Sequence, residues 1–144
     1  MLRIRIRATV NPTEDPEKVR RAIVALFPGA LVQEGEGVMV AEATDLGRLT
    51  ELVRSERIPD SARGVMLAGL SDDGMSARFR LGKQAAAAGR AHFGPLRSPL
   101  GDLEVTLLGD EEFEVERAIY RVAHDTTVEP EWAEVPPALR PQPG

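Results

Sequence analysis

Hydrophobic and polar residues alternate strictly over residues 2–8. Leu2, Ile4, Ile6 and Ala8 fall on one side, and Arg3, Arg5 and Arg7 on the other, the period-2 pattern of a strand with one buried face. The alternation returns at residues 75–81, where Met75, Ala77, Phe79 and Leu81 oppose Ser76, Arg78 and Arg80. Between these segments the spacing turns helical. Val19, Ala22, Ile23, Leu26 and Phe27 predict an amphipathic helix over 16–27, with Asp15 as its N-cap and Pro16 in the first helical position. Residues 31–34 and 37–42 predict a hairpin around Gly35-Glu36-Gly37. Thr44 is positioned to cap a second helix with the stripe Leu46, Leu49 and Val53. Ala62, Val65, Met66 and Leu70 mark a third, followed by a Ser71–Gly74 turn.

Lys83 to Ala88 predicts a short helix stopped by Gly89. Residues 90–94 and 103–108 predict a further strand pair joined by a Pro/Gly-rich loop. A last helix follows Gly109-Asp110, with Val115, Ala118, Ile119, Val122 and Ala123 on its stripe. This order of elements predicts one α+β domain over residues 1–125, an antiparallel or mixed sheet with helices packed on one face. Leu2, Ile4, Ile6, Ile23, Leu26, Phe79 and Leu81 should share its core. Residues 126–144 carry 5 of the 11 prolines and no regular period, so they predict a tail, with Trp132 as its natural anchor on the domain or a partner.

Composition narrows the chemistry. Cys is absent, which removes disulfides, thiolate nucleophiles and cysteine-based metal sites. No apolar stretch resembles a secretory leader or reaches the ~18 residues of a membrane helix, so a cytoplasmic protein is expected. The net charge of −5 argues against a nucleic-acid partner until its distribution is seen. Residues 1–90 hold 14 Lys+Arg against 12 Asp+Glu, and residues 91–144 hold 4 against 11. Acidity is concentrated toward the C-terminal end, which leaves room for a basic surface on the N-terminal part.

No catalytic set emerges. Gly35-Glu36-Gly37 has Val40 where a dinucleotide fingerprint needs glycine, and Gly82-Lys83 is followed by Gln84 rather than the Ser or Thr of a phosphate loop. His92 and His124 fall in different elements, and no serine sits in a nucleophile elbow. The pairs Asp72-Asp73 and Glu111-Glu112 suit a turn and a helix N-terminus. The expectation is therefore a non-enzymatic protein with no metal and no small-molecule cofactor.

The arginines stand out. If the two alternating strands share a sheet, Arg3, Arg5, Arg7, Arg78 and Arg80 line one exposed face, with Lys83 just past its edge. Arginine favours phosphate because its planar fork donates two parallel hydrogen bonds. The competing reading is a solvated face whose arginines pair across strands with acids such as Glu104 or Glu42. The polar sides of these strands carry no aromatic residue on which a base could stack.

Four strings, Asn11-Pro12-Thr13-Glu14-Asp15, Asp60-Ser61-Ala62-Arg63, Leu81-Gly82-Lys83-Gln84-Ala85-Ala86 and Pro99-Leu100-Gly101, occur in an order that resembles an uncharacterised family of archaeal proteins labelled RNA-binding. The resemblance covers roughly residues 1–108. It implies a fold similar to that of the ribosomal protein that binds 5S RNA, RNA as the partner, and pairing into homodimers. The rival expectation is a dimeric protein–protein interaction or scaffolding module.

Overall fold

The computed structural model describes residues 1–93 and 101–124. In chain order the elements are β1 (Arg3–Thr9), α1 (Pro16–Leu26), β2 (Leu31–Gly35), β3 (Val38–Ala43), α2 (Gly47–Ser55), α3 (Pro59–Ala68), β4 (Ser76–Gly82), α4 (Lys83–Ala87), β5 (Asp102–Leu108) and α5 (Glu114–Val122). Among the described residues, no helix is long and apolar enough to cross a membrane.

Local chemistry explains most of the boundaries. The Asp15 carboxylate accepts the Glu17 N–H at 3.0 Å, which caps α1 as its sequence predicts. β2 and β3 are joined by a tight turn at Glu36-Gly37, where Gly37 takes φ +70°. Thr44 does not cap α2. The Asp45 carboxylate instead accepts the Gly47 N–H at 2.7 Å, and the helix begins at that glycine. At the far end of α2, Ile58 N–H reaches Val53 O at 3.1 Å and Arg57 N–H reaches Arg54 O at 3.2 Å. These are the paired bonds of a Schellman stop, and they hold Arg57 at φ +56°, a conformation that glycine adopts more readily.

The five strands run in the order β2-β3-β1-β5-β4, every neighbouring pair antiparallel. One expectation fails here. Residues 90–93 form no strand beside 103–108; of these, only Phe93 bridges, and it bridges to Leu81, while residue 94 lies outside the described residues. β5 pairs instead with β1 and β4, one on each edge. The reason is geometric. His92 O accepts the Gly82 N–H at 3.0 Å and Gly69 O accepts the Arg78 N–H at 3.0 Å, so these loops cover the outer edge of β4 and leave its inner edge for β5. Gly69 comes so close that a Cβ there would collide with the Arg78 carbonyl.

All helices cover one face. Ile4, Ile6, Ala8, Met39, Ala41, Ala77, Phe79, Leu81, Leu103, Val105 and Leu107 point into a core filled by Val19, Ile23 and Leu26 of α1, Leu49 and Val53 of α2, Met66 of α3, Ala86 of α4 and Val115 and Ile119 of α5. Of the core residues expected from sequence, only Leu2 is partly buried rather than buried. The tail from residue 126 and its Trp132 lie outside the described residues.

Phe79 is 4% exposed and stacks on Phe93 with ring centroids 5.7 Å apart. Phe79→Ala should lower unfolding free energy by about 3–5 kcal/mol, the usual range for a buried Phe. Urea denaturation is the check: a lower midpoint is expected at unchanged slope.

Candidate functional site

The register of the sheet aligns the polar side chains in rows across the uncovered face. One row runs Leu31, Glu42, Arg5, Thr106, Arg78; the next runs Gln33, Val40, Arg7, Glu104, Arg80. Arg3, Arg5, Arg7, Arg78 and Arg80 are all exposed and share this face. β1 and β4 are not neighbours, however. β5 lies between them and brings Asp102, Glu104 and Thr106 into the middle of the arginines.

The charges therefore divide into two groups. Glu104 is shared between Arg7 at 3.8 Å and Arg80 at 3.7 Å, and Arg80 also approaches Asp102 at 4.0 Å. Arg3 lies 3.8 Å from Asp110. The contacts of Arg3 with Asp110 and of Glu104 with Arg7 and Arg80 join exposed groups, contribute at most about 1 kcal/mol each and yield readily to a stronger anion, whereas the Asp102 carboxylate is largely buried. Arg5 and Arg78 make no ion pair among the described residues. Those two flank the Thr106 hydroxyl in a single row.

Lys83 is not beside this face. It is 4% exposed, and its ammonium donates to Thr9 O at 2.7 Å and to Glu14 Oε1 at 2.9 Å. The Asn11 N–H donates to the same carboxylate oxygen at 3.0 Å. Lysine at this position is a buried tie between the end of β1, the entry to α1 and the start of α4. Burial by itself would raise the Glu14 pKa, but the Asn11 N–H and the Lys83 ammonium together outweigh it and hold the carboxyl below its ordinary value. Asp102 shifts the other way: burial pushes its pKa up, and the nearby Arg80 and Lys83 charges offset that only in part.

Sequence reasoning named Glu104 as a pairing acid but did not place it between two arginines, and it missed Glu14 and Asp102 altogether. The alternation of Leu103, Val105 and Leu107 with Asp102, Glu104 and Thr106 was the available signal. Among the described residues, no group of three or more His, Asp or Glu side chains is placed to hold a metal ion. A hollow of about 410 Å³ opens on the arginine face against β2 and β3, lined by Arg5, Leu31, Gln33, Val40, Ala41 and Glu42.

Comparison with known proteins gives this arrangement a context. A family model described as RNA binding matches residues 3–95. A UPF0201 protein of Methanosarcina acetivorans is 37% identical over 134 residues, covering 81% of each chain. One of Methanopyrus kandleri is 37% identical over 137 residues, covering 86% of each. The crystal structure of a UPF0201 protein superposes with a TM-score of 0.77 at 32% identity, covering 88% of this chain and 97% of its own.

The matched segment contains both partners of the Glu14–Lys83 pair, whose contribution can be isolated. Lys83→Met leaves Glu14 facing the Thr9 carbonyl without its cation. Glu14 keeps 17% exposure, so the expected loss is about 3 kcal/mol, the low end for breaking a buried pair. A carboxyl whose folded pKa is lowered stabilises fully above the ordinary carboxylate range and loses that stabilisation as pH falls through the lowered value. Glu14→Gln should flatten this acid-side decline, measured as the melting temperature between pH ~2.5 and ~6.

Proposed function

The chain belongs to the UPF0201 family of archaeal proteins, whose matching model carries the description RNA binding, and on that premise we propose that it binds RNA through the uncovered arginine face of its sheet. The single observation that carries this reading is the row Arg5–Thr106–Arg78. Among the described residues, it offers two guanidinium groups without ion pairs and a hydroxyl between them, on a face that no helix covers. Adjacent strands are ~4.8 Å apart, so the two arginines stand roughly 10 Å from each other, far enough to hold different phosphates. Arg3, Arg7 and Arg80 are secondary, because a phosphate must first displace Asp110, Glu104 or Asp102 from them.

In this reading the protein is a cytoplasmic, non-enzymatic binder that grips the RNA backbone. Phosphate contacts position the strand, and direct base readout is limited on a face without aromatic platforms. Lys83 takes no part, since its donors are engaged in the interior. The rival reading, a homodimeric interaction module, draws on Leu31, which is 77% exposed on the outermost strand β2. In that case the arginines serve salt bridges and β2 meets a second copy.

Salt titration separates the two. Two phosphate contacts on single-stranded RNA give a log–log slope of affinity against salt near 1.4, at about 0.7 per contact, whereas all five arginines would give about 3.5. Arg5→Ala with Arg78→Ala should remove most of the slope and weaken unrelated sequences alike, with folding stability changed by less than about 1 kcal/mol. Absence of binding to any RNA at ~50 mM salt, together with a dimer in sedimentation that loosens on Leu31→Asp, would decide for the rival.

A further inference from the structure

The hollow on the β2 side of the arginine face contains one more feature. Arg5 and Glu42 stand directly opposite each other in the β1–β3 register. They carry opposite charges, yet neither makes an ion pair among the described residues. Glu104 and Asp102, the other carboxylates on the face, are both engaged with arginines. A free cation and a free carboxylate are therefore presented side by side. On the same face Leu31, 77% exposed, stands beside Glu42, and Val40, 37% exposed, stands in the next row. Together they line one hollow that combines apolar side chains with a few polar and charged groups, the composition of a ligand site.

We propose that this hollow is a single-nucleotide subsite that selects guanine, with Glu42 as the specificity-determining residue. The proposal rests on the RNA reading and supplies base discrimination that backbone contacts lack. Its volume of about 410 Å³ falls in the range of about 300–1,000 Å³ typical of small-molecule sites. Arg5 holds the phosphate, and the base lies against Leu31 and Val40.

The choice of base follows from hydrogen-bonding capacity. An ionised carboxylate only accepts, and its two oxygens fit two parallel donors. On the Watson–Crick edge, guanine presents such a pair, N1–H beside the N2 amino group. Adenine and cytosine each present one amino group next to an acceptor nitrogen, and uracil presents one N–H between two carbonyls. Those acceptors face the carboxylate with like charge, so Glu42 rejects as well as selects. Gln33 is diagonal to Glu42 across the β2–β3 pair, within reach for a long side chain, and its amide N–H can donate to guanine O6.

The test uses the full chain and short uridine oligonucleotides carrying one central G, A or C, read by fluorescence anisotropy. The G-containing strand should bind roughly five- to hundred-fold tighter than all-U, the discrimination of a good bidentate pair. Glu42→Gln should collapse that preference to about two-fold while all-U affinity holds or rises, because a repulsive charge has gone. Arg5→Ala should weaken every strand equally. A wild type that binds all four strands alike, or a Glu42→Gln variant that keeps the guanine preference, would overturn the subsite and leave backbone binding intact. Methyl shifts of Leu31 and Val40 on adding guanosine monophosphate, but not adenosine monophosphate, provide an independent readout. Those shifts without any RNA binding would sustain the subsite and defeat the RNA reading; with neither, both fail.

Discussion

β5, the last strand among the described residues, lies inside the sheet, hydrogen-bonded to β1 on one edge and to β4 on the other. The rest of the molecule is arranged around that insertion. Among the described residues β4 has no other strand partner, so it joins the sheet through β5 together with α4 and the Phe79–Phe93 stack. Leu103, Val105 and Leu107 fill the core beneath it while Asp102, Glu104 and Thr106 face outward. One seven-residue strand thus closes the hydrophobic interior and sets the charge pattern of the opposite surface. Pairing β1 with a strand about a hundred residues away is a non-local contact of the kind that slows folding, because loop closure precedes any gain from packing.

Where information was local, the sequence was readable. The alternations over β1 and β4, the Asp15 cap, the β2–β3 hairpin and the stripe of α5 follow from neighbours a few residues apart, and the elements form where those patterns place them. What could not be read was adjacency. Nothing in residues 102–108 says that they lie between two arginine-bearing strands rather than beside residues 90–94. A shared arginine face was expected only if the two alternating strands lay in one sheet, and Glu104 was named as a pairing acid, but that Asp102 and Glu104 stand between the arginines appears only once strand order is known. Lys83 escaped for a related reason. Its position after an alternating strand looks exposed, and only the fold brings Thr9 and Glu14 against it.

The strings that carry the family resemblance prove to be parts of the architecture. Asn11 and Glu14 from one string and Lys83 from another meet in a single buried tie, and Asp15 caps the helix that begins there. Such residues report the fold. The arginine face and the Glu42 hollow depend on register instead, which a short motif does not encode. Arg57 shows the same separation in reverse. It occupies a left-handed helix stop that glycine fits better, so its backbone conformation is imposed by the Schellman bonds rather than by its own preference.

Glu104 faces Arg7 on one side and Arg80 on the other. One carboxylate thus restrains two guanidinium groups, and more of the charge pattern on this face turns on Glu104 than on Asp102 or Asp110, which each meet one. Exchange of that residue for a neutral side chain would free Arg7 and leave Arg80 with only its 4.0 Å contact to Asp102, so that among the described residues of this face the arginines without an ion pair would rise from Arg5 and Arg78 to three. The charge of the sheet face can therefore change at one position in β5 that faces away from the core, with strand order and register untouched.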